Sequence, residues 1–115
     1  MTIQRFGTTA RYSDITVHNG VAYIVEVSAS EEADITTQTR EVLASLDKLL
    51  ATAGSDNTRI LMATIYLTDL ADYDAMNQLW DAWLPAGTAP SRACVKVAGL
   101  ARPGYRIEIA LTAAV

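Results

Sequence analysis

Five segments of this chain carry the marks of β-strands, and two carry apolar residues at helical spacing. Arg11–Ser13 leads into Ile15-Thr16-Val17. His18-Asn19-Gly20 then turns the chain into Val21–Val27, and Asn-Gly between apolar runs is a strong hairpin signal. Ser28–Glu32 is polar and acidic, suited to a helix start with carboxylates at the positive end of the dipole. From Asp34 onward Val42, Leu43, Leu46, Leu49, Leu50 and Ala53 fall on one helical stripe, and Gly54 supplies the stop. Gln38, Arg40, Glu41, Asp47 and Lys48 occupy the opposite, polar face. Arg59–Thr68 reads as a central strand, and Asp69–Asp72 as a turn with an N-cap candidate at each aspartate. A second helix is predicted over Tyr73–Leu84, with Tyr73, Met76, Trp80, Trp83 and Leu84 on one stripe, until Pro85, Gly87 and Pro90 end it.

The last quarter of the chain alternates most sharply. Pro90–Val97 and Tyr105–Leu111 each have the period-2 pattern of a half-buried strand. Arg92, Cys94 and Lys96 share one face of the first, and Arg106, Glu108 and Ala110 share one face of the second. Antiparallel pairing in a register of even residue sum would put Arg92, Cys94 and Glu108 on one side of a sheet. The predicted order is β-β-α-β-α-β-β, an α+β sheet with two helices packed on one face. At 115 residues a single domain, 1–115, is expected.

Composition narrows the chemistry. One Cys and one His cannot build a Cys/His zinc cluster within one chain, so no metal site is expected, and a lone Cys suits a reducing compartment. The first residues show no secretory h-region and no run approaches a membrane span, so a cytoplasmic protein with no membrane partner is expected. The net charge of −4 argues against nucleic-acid binding, which needs a basic surface. Neither a phosphate loop, nor a G-x-S-x-G elbow, nor a dinucleotide fingerprint is present.

Each candidate residue has a plain reading beside a functional one. Asn77, on or beside the apolar stripe of the second helix, either caps a neighbouring loop or points into a cleft. Arg92 is either a solvated edge charge or a carboxylate clamp, whose planar fork grips a carboxylate at two points. Glu108 is either half of a cross-strand ion pair with Lys96 or Arg92, or a general acid/base. Cys94 reads as a small pocket wall rather than a nucleophile, because a nucleophile needs a partner base and the only His, His18, is in a turn that the sequence does not place beside it.

The block Pro90-Ser91-Arg92-Ala93-Cys94-Val95-Lys96-Val97, then Leu100, then Arg106-Ile107-Glu108-Ile109, resembles the carboxy-terminal signature of the Rid (reactive intermediate deaminase) or YjgF family. The resemblance extends through Thr64–Leu70, Tyr73 and Met76-Asn77, and takes in Tyr12 and His18-Asn19-Gly20. Ala75-Met76-Asn77 and Trp80-Asp81-Ala82-Trp83 look closest to its YoaB-like branch. The resemblance implies a chorismate-mutase-like sheet backed by two helices, and a homotrimer with a cleft at each interface. It also implies hydrolysis of 2-imino or enamine acids such as 2-aminoacrylate to 2-keto acids and ammonia, without a cofactor. The family's carboxylate-binding Arg falls on Arg92, its cleft Cys on Cys94, its water-activating Glu on Glu108, its cleft Asn on Asn77 and its Tyr on Tyr12. The alternative is a non-catalytic trimer that binds small carboxylates.

The chain departs from the family in one place. Where the deaminase branch carries a Ser-Gly-Gln-like segment, this chain has Val25-Glu26-Val27. A Glu there adds bulk and negative charge to the expected cleft, and the non-catalytic reading gains if Glu26 faces that cleft near Arg92.

Overall fold

In the computed structural model, which describes residues 2–115, the elements are β1 (Gln4–Phe6), β2 (Ile15–His18), β3 (Val21–Val27), α1 (Ile35–Thr52), β4 (Ile60–Leu67), α2 (Tyr73–Trp83), β5 (Ser91–Lys96) and β6 (Ile107–Ala114). A 3-10 turn, Leu70–Asp72, precedes α2. The strands form one mixed sheet in the order β1-β2-β3-β6-β4-β5. The expected α+β sheet with both helices on one face is therefore present, with β1 as an additional edge strand.

Local chemistry accounts for the elements. Asn19 and Gly20 both have positive φ, 53° and 76°, the conformation a tight two-residue hairpin turn requires. Asp34 caps α1 by accepting the Thr37 N–H at 2.7 Å, so the helix starts after the acidic segment Ser28–Glu32, which stays a loop. Of the two capping aspartates expected before α2, Asp69 accepts the Ala71 N–H, whereas Asp72 makes no cap bond. Its carboxylate is taken by Arg106, which grips both oxygens at 2.8 and 3.0 Å.

The core lies between the helices and one sheet face. Ile15, Ile24, Ala63, Ile65, Ile107 and Ile109 face Val42, Leu46 and Leu50 of α1 and Met76 and Trp80 of α2. Each fully buried aliphatic side chain contributes about 1.5–3 kcal/mol. A bulge in β4 between Ile60 and Met62 lets Ile60 and Ala63, three residues apart, both point inward.

The closing strands do not pair with each other, which corrects the expected antiparallel ladder. β5 runs parallel to β4 on the sheet edge, while β6 lies between β3 and β4, antiparallel to both. The cause is what each strand can bury. Ile107, Ile109, Leu111 and Ala113 all vanish beneath the helices, so β6 must be interior. Arg92, Cys94 and Lys96 cannot follow, so β5 stays at the edge.

The ten-residue connection 97–106 passes over the end of β4. Gly104 packs so close to the Glu32 backbone that a Cβ would fall 2.7 Å from its nitrogen. Gln38, expected on the exposed face of α1, is instead fully buried and holds this connection. Its Nε2 donates to the carbonyls of Gly104 and Ala33, and its Oε1 accepts the Arg106 N–H. An amide can do this because it offers donor and acceptor together.

Candidate functional site

The first turns of α2 carry two polar side chains toward the β5 edge. Tyr73 and Asn77 are four residues apart, hence on one helix face. Both meet Arg92: Asn77 Oδ1 accepts from Nη1 at 2.7 Å, and the Tyr73 hydroxyl accepts from Nη2 at 3.2 Å. The guanidinium also lies 5.8 Å from the Tyr73 ring and 5.6 Å from the Trp80 ring, within cation–π range. Every partner is neutral. Among the described residues the Arg–carboxylate pairs are Arg102–Glu31 and Arg106–Asp72, so no carboxylate neutralises Arg92.

Cys94 lies two residues along the same strand face. With Leu70, Tyr73 and Arg92 it lines a pocket of about 390 Å³. Burial pushes its thiol above the ordinary 9.0, and the nearby Arg92 charge opposes this only in part. A protonated thiol fits the pocket-wall reading and gives no support to a nucleophile. Tyr73 was expected on the apolar stripe and among the residues of the family resemblance, with no role at the site. Its spacing from Asn77 was the available signal that it, too, serves Arg92.

Glu108 is not in this pocket. In the ladder Arg92 stands beside Ala63 and Leu111 stands on the other side of Ala63, all on the helix face. Glu108 stands between Val27 and Tyr66 on the opposite, open face. It forms no ion pair with Lys96 or Arg92, so the ladder reading is not met either. The open face around it is apolar and exposed, with Tyr23, Val25, Met62 and Val95 among its residues.

Tyr12 lies elsewhere again. It is exposed in the loop before β2 and lines a groove of about 450 Å³ with Ser13, Asp14, Val25, Glu26 and Val27. Glu26 contributes to the wall of this groove, but it pairs with the buried Ile109 on the helix face, where its carboxylate accepts the Ser45 hydroxyl of α1. Three strand spacings, about 14 Å, separate β3 from β5 and hence Glu26 from Arg92 within one copy. One chain therefore joins Arg92, Asn77 and Cys94, and leaves Glu108 and Tyr12 apart from them. Among the described residues no group of three or more His, Cys, Asp or Glu could hold a metal ion, and no helix is long and apolar enough to cross a membrane.

Known proteins are similar to this chain in sequence and fold over nearly their whole length. The family model described as endoribonuclease L-PSP matches residues 2–115. The RutC family protein YoaB of Escherichia coli (strain K12) is 46% identical over 115 residues, covering 100% of both chains. A RutC family protein of Haemophilus ducreyi is 44% identical over 114 residues, 98% of this chain and 97% of that one. A crystal structure of a YjgF-family member from Neisseria meningitidis superposes with a TM-score of 0.94 at 47% identity, covering 99% of this chain and 95% of that one. The resemblance read from the Arg92–Val97 and Arg106–Ile109 segments is borne out, as is the likeness to YoaB, and the chain belongs to the YjgF, or endoribonuclease L-PSP, family.

Proposed function

We propose that this protein is a homotrimeric deaminase that hydrolyses small reactive 2-imino acids to 2-keto acids and ammonia. The observation that carries this reading is Arg92: an un-neutralised guanidinium, held in place by Asn77 and Tyr73 in a small pocket beside Cys94. A 2-imino acid offers a carboxylate for that fork and an electrophilic C2 next to it. Water attacks C2, forming a C–O bond, and Glu108 takes the proton that leaves the water. The C2–N bond then breaks, the nitrogen departs as ammonia with protons originating from the water, and the carbonyl of the 2-keto acid remains. Positioned acid–base help of this kind is worth about 10²–10⁴-fold. The imine is already electrophilic, so the step calls for no cofactor.

Oligomerisation follows from the same residues. The open sheet face is apolar, and a neighbouring copy seated on it would remove that surface from water. It would also bring Glu108 and the Tyr12 groove of one copy toward the Arg92 pocket of another. The family's name refers to ribonuclease activity, but the net charge of −4 does not favour RNA binding.

A second reading, a trimer that binds small carboxylates without turning them over, draws support from Glu26 on the wall of the Tyr12 groove. One experiment separates the two. A dehydratase generates 2-aminoacrylate from serine, and pyruvate appearance is followed with and without this protein. Acceleration that disappears in Arg92→Ala supports the deaminase. No acceleration at micromolar protein, with the trimer intact by light scattering, rejects it.

A further inference from the structure

The first turn of α2 lacks a side-chain cap of its own. Asp72 stands at the N-cap position, yet its carboxylate accepts nothing from the helix, and of the helix's 11 residues only Met76 and Trp80 are buried. A helix this short is marginal unless tertiary contacts hold it. The contact at its start is Arg106, which donates Nε to one Asp72 oxygen at 3.0 Å and Nη2 to the other at 2.8 Å. Asp72 is buried, and the pair links residues 34 apart in sequence.

Arg106 is itself a fixed post. Its N–H donates to Oε1 of the fully buried Gln38 at 2.8 Å, and its carbonyl accepts the Thr68 N–H at 3.2 Å. The clamp on α1 and the end of β4 thus locate its backbone before the side chain reaches α2. On the other side of the pair, Tyr73 follows Asp72 directly and Asn77 lies one helical turn further, and these two side chains hold Nη2 and Nη1 of Arg92. A single turn of helix therefore separates the post from the Arg92 fork. A lysine at position 106 would keep the charge but offer a point of attachment, whereas the guanidinium fork fixes direction as well as distance.

Resting on the Arg92 carboxylate clamp proposed above, we infer that Arg106 and Asp72 are positioning residues for Arg92. Their forked pair fixes the first turn of α2, and through Tyr73 and Asn77 it sets where the Arg92 guanidinium points. Neither residue touches the substrate. Without the pair the first turn frays, Tyr73 and Asn77 reach Arg92 only part of the time, and its guanidinium samples other rotamers before a carboxylate arrives. Binding must then order the fork first, so affinity falls.

The variants are Arg106→Lys and Asp72→Asn, each checked for folding by circular dichroism. The probe is pyruvate, whose carboxylate suits the Arg92 fork under the deaminase and the non-catalytic reading alike, and its binding is followed by NMR titration of the Arg92 Nε–H signal. Each variant should bind pyruvate about three- to tenfold more weakly, bounded by the roughly tenfold loss expected when the Asn77 bond is removed outright. In a Tyr73→Phe, Asn77→Ala background the same variants should change affinity less than about twofold, because nothing remains for the pair to aim. The order parameter of the Arg92 Nε–H in the ligand-free protein should fall from the rigid range to about 0.6 or below. Arg106→Lys keeps a positive charge beside the buried Asp72 and carries the test if Asp72→Asn does not fold. Unchanged affinity in a folded variant, or an equal loss with and without Tyr73 and Asn77, overturns the inference and leaves the pair a support of the fold alone. If pyruvate does not bind the unaltered protein, the clamp reading fails instead. The order parameter then decides the positioning: a fall in the variants upholds it, and no change overturns it.

Discussion

If Arg92 and Glu108 act on one substrate, they must come from different copies of the chain, and subunit mixing tests this. In the ladder Arg92 aligns with Ala63 of β4, whereas Glu108 aligns with Tyr66, three residues further along. The offset along the strand is about 10 Å, and the two spacings from β5 to β6 add about 10 Å across it, so their backbones lie about 14 Å apart. They also project from opposite faces of the sheet, which no side-chain rotation reverses. The perturbation is a pair of variants, Arg92→Ala and Glu108→Gln, each inactive alone. In trimers reassembled from an equal mixture, a cleft regains both groups when its Arg92 donor is the Glu108→Gln copy and its Glu108 donor is the Arg92→Ala copy. With head-to-tail interfaces and random mixing, this occurs at roughly one cleft in four. The dehydratase-coupled assay should therefore recover roughly a quarter of the unaltered rate after mixing, with light scattering confirming trimers. Recovery at the background of either variant, with subunit exchange shown by mass, would refute the division of the site between copies.

Asn77→Ala removes a 2.7 Å bond to a charged donor, worth about 1.5 kcal/mol at this partly exposed position, so KM should rise about tenfold while kcat changes little. A KM within twofold of the unaltered protein would show that Asn77 does not hold Arg92. Gln38→Leu leaves the Arg106 N–H and the Ala33 carbonyl without their side-chain partner in a buried site, a loss of about 3–5 kcal/mol. For 115 residues that lowers the thermal midpoint by about 10–20 °C, and a drop under about 5 °C by circular dichroism would contradict the buried clamp. Cys94, its thiol raised by burial, should alkylate with iodoacetamide more slowly at pH 7 than free cysteine, and more slowly still in Arg92→Gln, where the opposing charge is gone. Rapid alkylation at pH 7 would count against a protonated thiol. Asp34, its pKa held below the ordinary 3.8 by the Thr37 N–H, stabilises the fold above that value and loses its contribution as pH falls through the lowered one. The gap in melting temperature between the unaltered protein and Asp34→Ala should accordingly narrow below pH 3.8, and a gap independent of pH would show that the carboxylate cap contributes nothing.

Much of the fold was legible because local chemistry decides it. Asn19-Gly20 between apolar runs marked the tight turn, whereas the start of α1 was read too early, at Ser28–Glu32, because acidic residues suit a helix start in general and only the structure shows Asp34 supplying the cap. Strand order was harder. Alternation reveals which residues share a face within a strand, but says nothing of which strand lies alongside. The clue was present in the unequal faces of the last two strands, since four apolar residues on β6 need burial on both flanks and Arg92 with Lys96 do not. Gln38 escaped for a different reason. A helical wheel registers it as polar, while its partners are backbone groups of residues 104 and 106, brought close only by the fold.

The site was half-legible for the reason that makes the protein interesting chemically. Arg92, Asn77 and Cys94 meet inside one chain, because a helix and the strand that follows it are neighbours and i, i+4 spacing aims two side chains at one point. Glu108 and Tyr12 belong to surfaces that one chain leaves open, and no pattern within a single sequence says which surface faces which. Sheet parity supplies the missing constraint. A residue on the open face can join a helix-face pocket only through a second copy, so under the proposed deaminase the apolar residues around Glu108 would carry assembly and chemistry together. Substitutions there, such as Val25→Lys, should then abolish the trimer and the turnover in one step, while the Arg92 pocket itself stays folded.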